Sequence, residues 1–483
     1  MVTTNILENC RYMSANSSSV STYPSAPALH AWIAILGLII FSAVAVLAGA
    51  GNVLRLLFPL GSLGVGLFLF GKYPTMYISF TWWLWFVTPW LRRVIDYRSG
   101  WDGSGIILTA PFLVTLITLI TFVQWLPRSY RMGGLPLAIA IFGIIYGFLI
   151  GIVKNPVAVS LRALLDWLTP VVFAFHLFVN WRNYPKYRQN LQTTFMWGLL
   201  ITGIYGIVQY LVAPEWDRFW IIQTRLLTNG TPEPLGIRVF STMNSPGPFA
   251  NVLTAGLLIL LTNDNFLRVP ASVVGYLSFL LSLVRSAWLG WFIGLLSLLS
   301  SLKPRLQMQL FVTIIVMALC VVPLATIEPF AEIIGARLES LTNAKKDTSF
   351  NERSELYERN ITIAFSSGLG NGIGSKYFVN EKGLLQEVTL DSGILDVFFT
   401  LGWFGAVPYL GGIILAVFNL LTSTEGRSDA FASAARAIIL GVLFQMLFGN
   451  VMLALSGMVF WAFLGIGMAA NKYHQYEKLQ KRM

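Results

Sequence analysis

Charge is scarce in this chain. Only 11% of its 483 residues are Asp, Glu, Lys or Arg, against roughly 25% in soluble domains. A soluble chain of this length would form about three domains, and the composition excludes that reading. Apolar residues make up 55%, or about 64% once the 42 glycines are counted, where roughly 45–50% is usual. Mean hydropathy is +0.67. So much apolar surface calls for lipid around it. Cysteine is scarce too: Cys10 and Cys320 make neither a metal cluster nor a disulfide framework. The three histidines, His30, His176 and His474, lie far apart, and no pair has metal-ligand spacing. The few charges are lopsided, 33 Lys and Arg against 22 Asp and Glu, for a net +11. In a membrane chain that excess belongs to cytoplasmic loops and anionic-lipid contacts. The lipid bilayer is therefore a partner and nucleic acid is not.

What is present is a succession of apolar runs. Segments near 31–49, 53–70, 73–91, 106–126, 135–152, 158–179, 193–212 and 246–262 read as spans, as do 269–284, 286–301, 307–327, 392–420, 435–449 and 452–470. Several are short, and the last two suit a tight hairpin. The fold class expected is an all-α polytopic membrane protein with roughly 12 to 14 transmembrane helices. The chain divides into a polar, serine-rich cytoplasmic tail (1–28) left disordered, N-terminal transmembrane helices (29–212), core transmembrane helices (213–327), a large external loop (328–391), C-terminal transmembrane helices (392–471) and a basic cytoplasmic tail (472–483).

Basic residues in short loops set the orientation. With the N-terminus inside, alternation places inside the loop of Arg128 and Arg131, the segment 181–190, the turn of Lys303 and Arg305, the loop of Arg427 and Arg436, and the tail of Lys472, Lys478, Lys481 and Arg482. Both termini are then cytoplasmic, and 213–245 and 328–391 face out. The segment 92–104, with Arg92, Arg93 and Arg98, reads as a basic outside loop against the trend.

The loop 328–391 holds Arg337, Arg353, Arg359 and a glycine run, GLGNGIG (368–374). Apolar residues at helical spacing near its start and in SELYERNITIAF predict two or three short helices over the membrane face, with the glycine run as a tight turn. A loop this long usually carries function.

Charges in or beside spans are costly and need a reason. Arg285, in SFLLSLVRSAWLGWFIGLL, marks the outer tip of a hairpin and snorkels, or projects into a cavity and binds an anion. Arg162 and Asp166, four apart on one helical face, suggest an internal ion pair. GIRVFSTMNSPGPFANVL (236–253) leads into a span. It reads as an ordinary loop or as an anion platform built from the planar fork of Arg238 and free amides at a helix start. Asp391-Ser392 precedes the apolar run from 393. That suits an N-cap, and Asp391 can also do chemistry. Asp396 lies five residues on, about 140° round the helix, so the two carboxylates do not share a face.

Together these segments resemble the O-antigen ligase / Wzy polymerase family, over roughly residues 195–420. RVFSTMNSPGPFA resembles its outer-loop arginine motif, with Arg238 matching. LVRSAWLGW resembles its hairpin tip, with Arg285 matching and Val284 where Ser is usual. NERSELY (Arg353) and GLGNGIG resemble its external loop. TLDSGILDVFFTLGWFG supplies its Gly-x-x-Gly as Gly402 and Gly405, with Asp391-Ser392 in place of a His-Asn pair. The resemblance implies a GT-C-like inverting glycosyltransferase at the external face of a bacterial inner membrane. It implies a polyprenyl-diphosphate-linked glycan donor (undecaprenyl-type), a glycan acceptor, and no metal or other cofactor. Arg238, Arg285 and Arg353 would bind the diphosphate and Asp391 would stand as the catalytic base. On this reading the chain is a polymerase of exopolysaccharide or O-antigen repeat units, with a chain-length regulator as a further partner. The alternatives are a ligase that transfers finished glycan, or a solute transporter of the inorganic-carbon type.

Overall fold

The computed structural model describes residues 28–300, 367–379, 385–387, 390, 392–427 and 429–482, with a few isolated positions between 307 and 365. The N-terminal tail, most of the expected span 307–327, most of the loop 328–391, and both Arg353 and Asp391 lie outside the described residues.

The chain is an all-α polytopic membrane protein. The helices are α1 (Leu29–Leu47), α2 (Gly51–Lys72), α3 (Pro74–Ser99), α4 (Thr109–Leu116), α5 (Leu119–Ser129), α6 (Leu135–Lys154), α7 (Val157–Val179) and α8 (Tyr184–Val212). They continue with α9 (Glu215–Thr224), α10 (Pro246–Leu260), α11 (Arg268–Leu281), α12 (Arg285–Leu299), α13 (Gly393–Thr422), α14 (Ala430–Gln445) and α15 (Ala454–Gln480). Among the described residues, eight segments are long and apolar enough to cross a membrane, with α4 and α5 counted as one, and α10, α11, α12 and α14 are shorter apolar helices. Most of the described apolar runs became helices within about five residues of their expected bounds, whereas α3, α8 and α15 extend eight to ten residues past theirs. The run 106–126 did not stay whole: it breaks at Ile117–Thr118, where the Tyr77 hydroxyl donates to the Val114 carbonyl at 2.7 Å.

Prolines punctuate the bundle as their missing N–H requires. Pro74 and Pro246 open α3 and α10, while Pro59, Pro89, Pro170 and Pro408 sit inside helices. The tightest pairings are α6 on α13, α7 on α15, α12 on α14 and α8 on α11. Small residues permit the close approach. A Cβ at Gly143 would meet Tyr409 of α13, and one at Gly294 would meet the Ala437 carbonyl of α14 at 2.8 Å. The deepest helix is α15, buried almost throughout its apolar stretch, whereas α1 is largely exposed.

The segment 92–104 is not a basic outside loop. Residues up to Ser99 extend α3; Arg92 and Arg93 are buried and paired with acids, while Arg98 is exposed and donates to the Val46 carbonyl. Arg92 meets Asp96 at 3.2 Å, Arg55 meets Asp96 at 2.8 Å, and Arg93 meets Asp217 at 3.3 Å. Neutralised by partners, Arg92 and Arg93 no longer count as loop charge. By contrast, 181–190, 423–436 and 472–482 share one face with the 130–132 turn. Lys472 donates to the Met132 carbonyl at 2.9 Å, Arg188 meets Asp429 at 3.3 Å, and the His474 ring stands 3.1 Å from the same carboxylate.

The glycine run is not a turn over the membrane face. It is inserted between α6 and α13. Asn371 and Gly372 amides donate to the Phe399 and Thr400 carbonyls (3.0 and 2.8 Å), Ile373 to Gly147 (2.9 Å), and Trp403 donates back to Gly368 (2.9 Å). Gly402 leaves helical geometry, with φ 64°, to receive it. Polar side chains of α6 complete the seam: Lys154 donates to the Gly370 carbonyl at 2.6 Å, and Asn155 to the Asn371 carbonyl at 3.1 Å. Irregular backbone packed between spanning helices is tolerated only when protein satisfies it. After the glycine run the chain forms a short antiparallel ribbon, Tyr377–Val379 with Leu385–Glu387; the expected loop helices lie almost wholly outside the described residues, and the described positions of SELYERNITIAF (361, 362, 364 and 365) are helical.

Candidate functional site

Two of the arginines singled out by sequence are brought together. Arg238 follows a tight bend closed by a bridge between Gly230 and Ile237. The next amide, Val239, donates to the Leu281 carbonyl at 3.0 Å. The Arg238 guanidinium then donates through Nη2 to the Leu283 carbonyl at 3.0 Å. Leu283 is the left-handed residue (φ 55°) of the α11–α12 turn, and Arg285 is the first residue of α12. The expected hairpin tip is therefore present, and Arg238 is fastened to its backbone two residues before Arg285. Both arginines are half-buried.

Beneath this pair lies a polar network that sequence reasoning missed. Arg93 of α3 and Asp217 of α9 are both fully buried. Arg93 donates to the carbonyls of Ser241 (2.5 Å) and Met243 (2.9 Å), and its guanidinium lies over the Phe240 ring. Asp217 accepts from the Tyr205 hydroxyl (2.8 Å) and from Gln209 Nε2 (2.9 Å). Gln209 Oε1 in turn accepts from the Phe240 and Ser241 amides at 3.0 and 2.7 Å. Thus residues 239–243, immediately after Arg238, have their backbone groups satisfied from three helices. The available signal was helical spacing: Arg93 lies on an apolar helix, and Asp217 follows Gln209 by eight residues. Nothing local says that they meet.

The anion platform at the start of α10 is weaker than the sequence suggested. Two of its first three residues, Pro246 and Pro248, carry no N–H, and Ser245 forms no side-chain cap. Arg162 donates to the Ser104 carbonyl at 3.1 Å rather than closing the expected ion pair with Asp166, because the 100–105 loop folds back within its reach.

Ser392 is the N-cap residue of α13, yet its side chain makes no capping bond. The first amide, Gly393, is satisfied instead by the Met446 carbonyl at the end of α14, 2.9 Å away. Asp396 is fully buried. It accepts from Lys376 and from Asn450, each at 2.5 Å. This pairing of α13 with the end of the glycine run was also missed, since Asp396 had been considered only against Asp391.

α12 runs antiparallel along α14. A Cβ at Gly290 would meet Gln445 at 2.9 Å, so Arg285 stands near the end of α14 that holds Gly393. The arginine tip and the start of α13 therefore share one end of the bundle.

Residues 270–410 match the family model described as O-antigen ligase. They run from α11 through the arginine tip to the middle of α13, and they bear out the resemblance read from the motifs, within the span over which it was read. This region, a little under a third of the chain, is thus similar to the O-antigen ligase domain. No curated protein matches the chain.

Proposed function

We propose that the protein is a polymerase of exopolysaccharide or O-antigen repeat units. It acts on the external face of a bacterial inner membrane with both termini cytoplasmic, and takes its donor as a glycan on a polyprenyl diphosphate. The observation that carries this reading is the Arg238–Leu283 bond, which fastens one guanidinium to the tip that presents the other.

In the proposed reaction an acceptor hydroxyl oxygen attacks the anomeric carbon from the face opposite the diphosphate. The new C–O bond forms as the old one breaks. The electron pair leaves on the diphosphate oxygen and configuration inverts. Negative charge grows on the leaving group, and guanidinium groups in a low-dielectric site stabilise it. Arg238 and Arg285 take this part, with Arg353 joining from the loop. The hydroxyl proton passes to Asp391. A carboxylate with an ordinary pKa of about 3.9 is a weak base, so the proton moves late, once the leaving group already carries most of its charge.

The test is glycan output, resolved by size, from a strain lacking the gene and complemented with wild type, Arg285→Ala or Asp391→Asn. Single repeat units in place of long chains, restored by wild type alone, support the polymerase. Accumulation of long lipid-linked chains would instead mark a ligase. Unchanged glycans would overturn the transferase reading altogether and direct attention to solute uptake.

A further inference from the structure

Where α3 ends against α9, aromatic rings form a continuous strip. Tyr97 stands edge-on to Phe219 with centroids 6.1 Å apart, Phe219 stands edge-on to Trp101 at 6.5 Å, and Trp101 lies 5.5 Å from Trp220. Tyr97 and Trp101 remain 44% and 38% exposed. The strip is therefore open surface, and a ligand needs no cavity to reach it.

The rings are held in place. The Arg92 guanidinium lies over Trp101 and Trp220, 5.3 and 4.9 Å from their centroids. It is fixed in turn by Asp96 at 3.2 Å and by the Asp102 carbonyl at 2.7 Å. Rings locked in this way lose little freedom when a ligand binds. Charge beneath them is balanced, with Arg55 and Arg92 set against Asp96 and Asp102. That footing offers little attraction for a phosphate.

The combination suits a neutral sugar chain. A sugar ring has faces of C–H groups with slight positive charge, and an aromatic face is the negative lobe of its quadrupole. The sugar hydroxyls stay at the rim, where the Tyr97 hydroxyl and the Trp101 N–H give polar handles. Aromatic residues also anchor spans at membrane–water interfaces. An anchor of that kind sits on the flank of a span, whereas Trp101 lies beyond the end of α3, in a turn whose Gly100, Gly103 and Ser104 are exposed.

The strip shares its supports with the arginine segment. Trp220 Nε1 donates to the Asn244 carbonyl at 3.2 Å. The same helix, α9, carries Asp217, whose partner Arg93 holds the Ser241 and Met243 carbonyls just after Arg238.

We propose that Tyr97, Phe219 and Trp101 form a platform for a saccharide chain, with sugar faces stacked on the rings beside the arginine tip. Its role in holding the growing glycan rests on the polymerase reading above; affinity for a sugar chain does not.

The experiment uses the full chain in lipid nanodiscs, labelled with 5-fluorotryptophan and read by fluorine NMR, with maltohexaose, cellohexaose and chitohexaose as probes. The Trp101 resonance is the one missing from Trp101→Phe, and that of Trp125, 37% exposed on α5, is assigned likewise. Trp101 is expected to shift with at least one of the three sugars while Trp125 stays in place. The apparent affinity read at Trp101 falls at least tenfold in Tyr97→Ala and in Phe219→Ala. An equal shift at Trp125, or undiminished affinity in both alanine variants, would overturn the platform. So would the absence of any shift at Trp101, and broadening by a spin-labelled lipid headgroup would then mark the strip as an interfacial anchor. Failure of the polymerase reading looks different: the shift at Trp101 persists while cellular glycans ignore deletion of the gene.

Discussion

Gly370 and Gly402 meet backbone to backbone: a Cβ added to either would collide with the amide nitrogen of the other. Both have positive φ, 78° and 64°. The Gly402–Gly405 pair and the glycine run, separate motifs in the sequence, are the two halves of one joint. Gly405 serves the same seam from its other side, where a Cβ would meet Tyr146 of α6 at 2.9 Å.

Replacing Gly370 or Gly402 by Ala therefore adds steric collision to a backbone geometry that L-residues avoid. We expect each change to cost about 3 kcal/mol or more, read as a lowered melting temperature or loss of monodisperse protein in detergent. Gly247→Ala is the control, since a Cβ there meets nothing within 4 Å. Equal stability of Gly402→Ala and Gly247→Ala would remove the joint.

The buried Arg93–Asp217 pair predicts strong non-additivity. Asp217→Leu or Arg93→Met alone strands a charge in the interior and costs about 3–5 kcal/mol. Arg93→Met with Asp217→Leu should cost clearly less than the sum of the two singles. Arg93→Met should remain the worse single change, because Ser241 and Met243 also lose their donor. Denaturation of all four proteins in nanodiscs checks this; strict additivity would contradict it.

Lysine should not replace either arginine of the tip. A guanidinium presents a planar fork, whereas an ammonium is a point charge on a flexible stem. Arg285→Lys and Arg238→Lys are expected to lose at least about 100-fold in turnover of lipid-linked glycan, in keeping with the loss of one preorganised donor. Arg238→Lys should in addition lower the melting temperature slightly, since it releases the Leu283 carbonyl. Turnover near wild type in both variants would argue against charge stabilisation at this tip.

On the opposite face, Asp429 predicts an acid limb. Burial pushes its carboxyl up. Hydrogen bonds from His474 and Tyr184, the charge of Arg188 and the Ala432 amide more than reverse this and hold it at about 2. Its folded value lies below the ordinary range, so its contribution is fully present above about pH 4 and is lost as pH falls toward 2. That contribution is about 2 kcal/mol. The melting temperature of wild type should drop across this window. Asp429→Asn should melt lower at neutral pH and show a flatter limb, and parallel limbs would clear Asp429 of the effect.

The bundle was largely legible in the sequence because a span announces itself by a run of apolar residues of fixed length. Arg238 and Arg285 were legible as candidates because each sits among small residues beside such a run. The contacts that organise them were not. Arg93, Gln209 and Asp217 come from α3, α8 and α9, and no local pattern joins three helices. Counting basic residues in loops even misassigned Arg92 and Arg93, since that rule cannot see an acid placed opposite. The glycine run was read by its most local use, a turn. Its use here depends on Gly147 and Gly151 of α6 and on a kink in α13, all distant in sequence.

The seam also dictates an order of assembly. During synthesis α6 is made first, then the glycine run, then α13. The run can lie down on α6 while that face is still open, and α13 closes over it, bending at Gly402 as it docks. Were the run encoded after both helices, it would have to thread between two packed surfaces. The position of GLGNGIG in the chain thus lets a buried, irregular strip of backbone be laid in as the bundle grows.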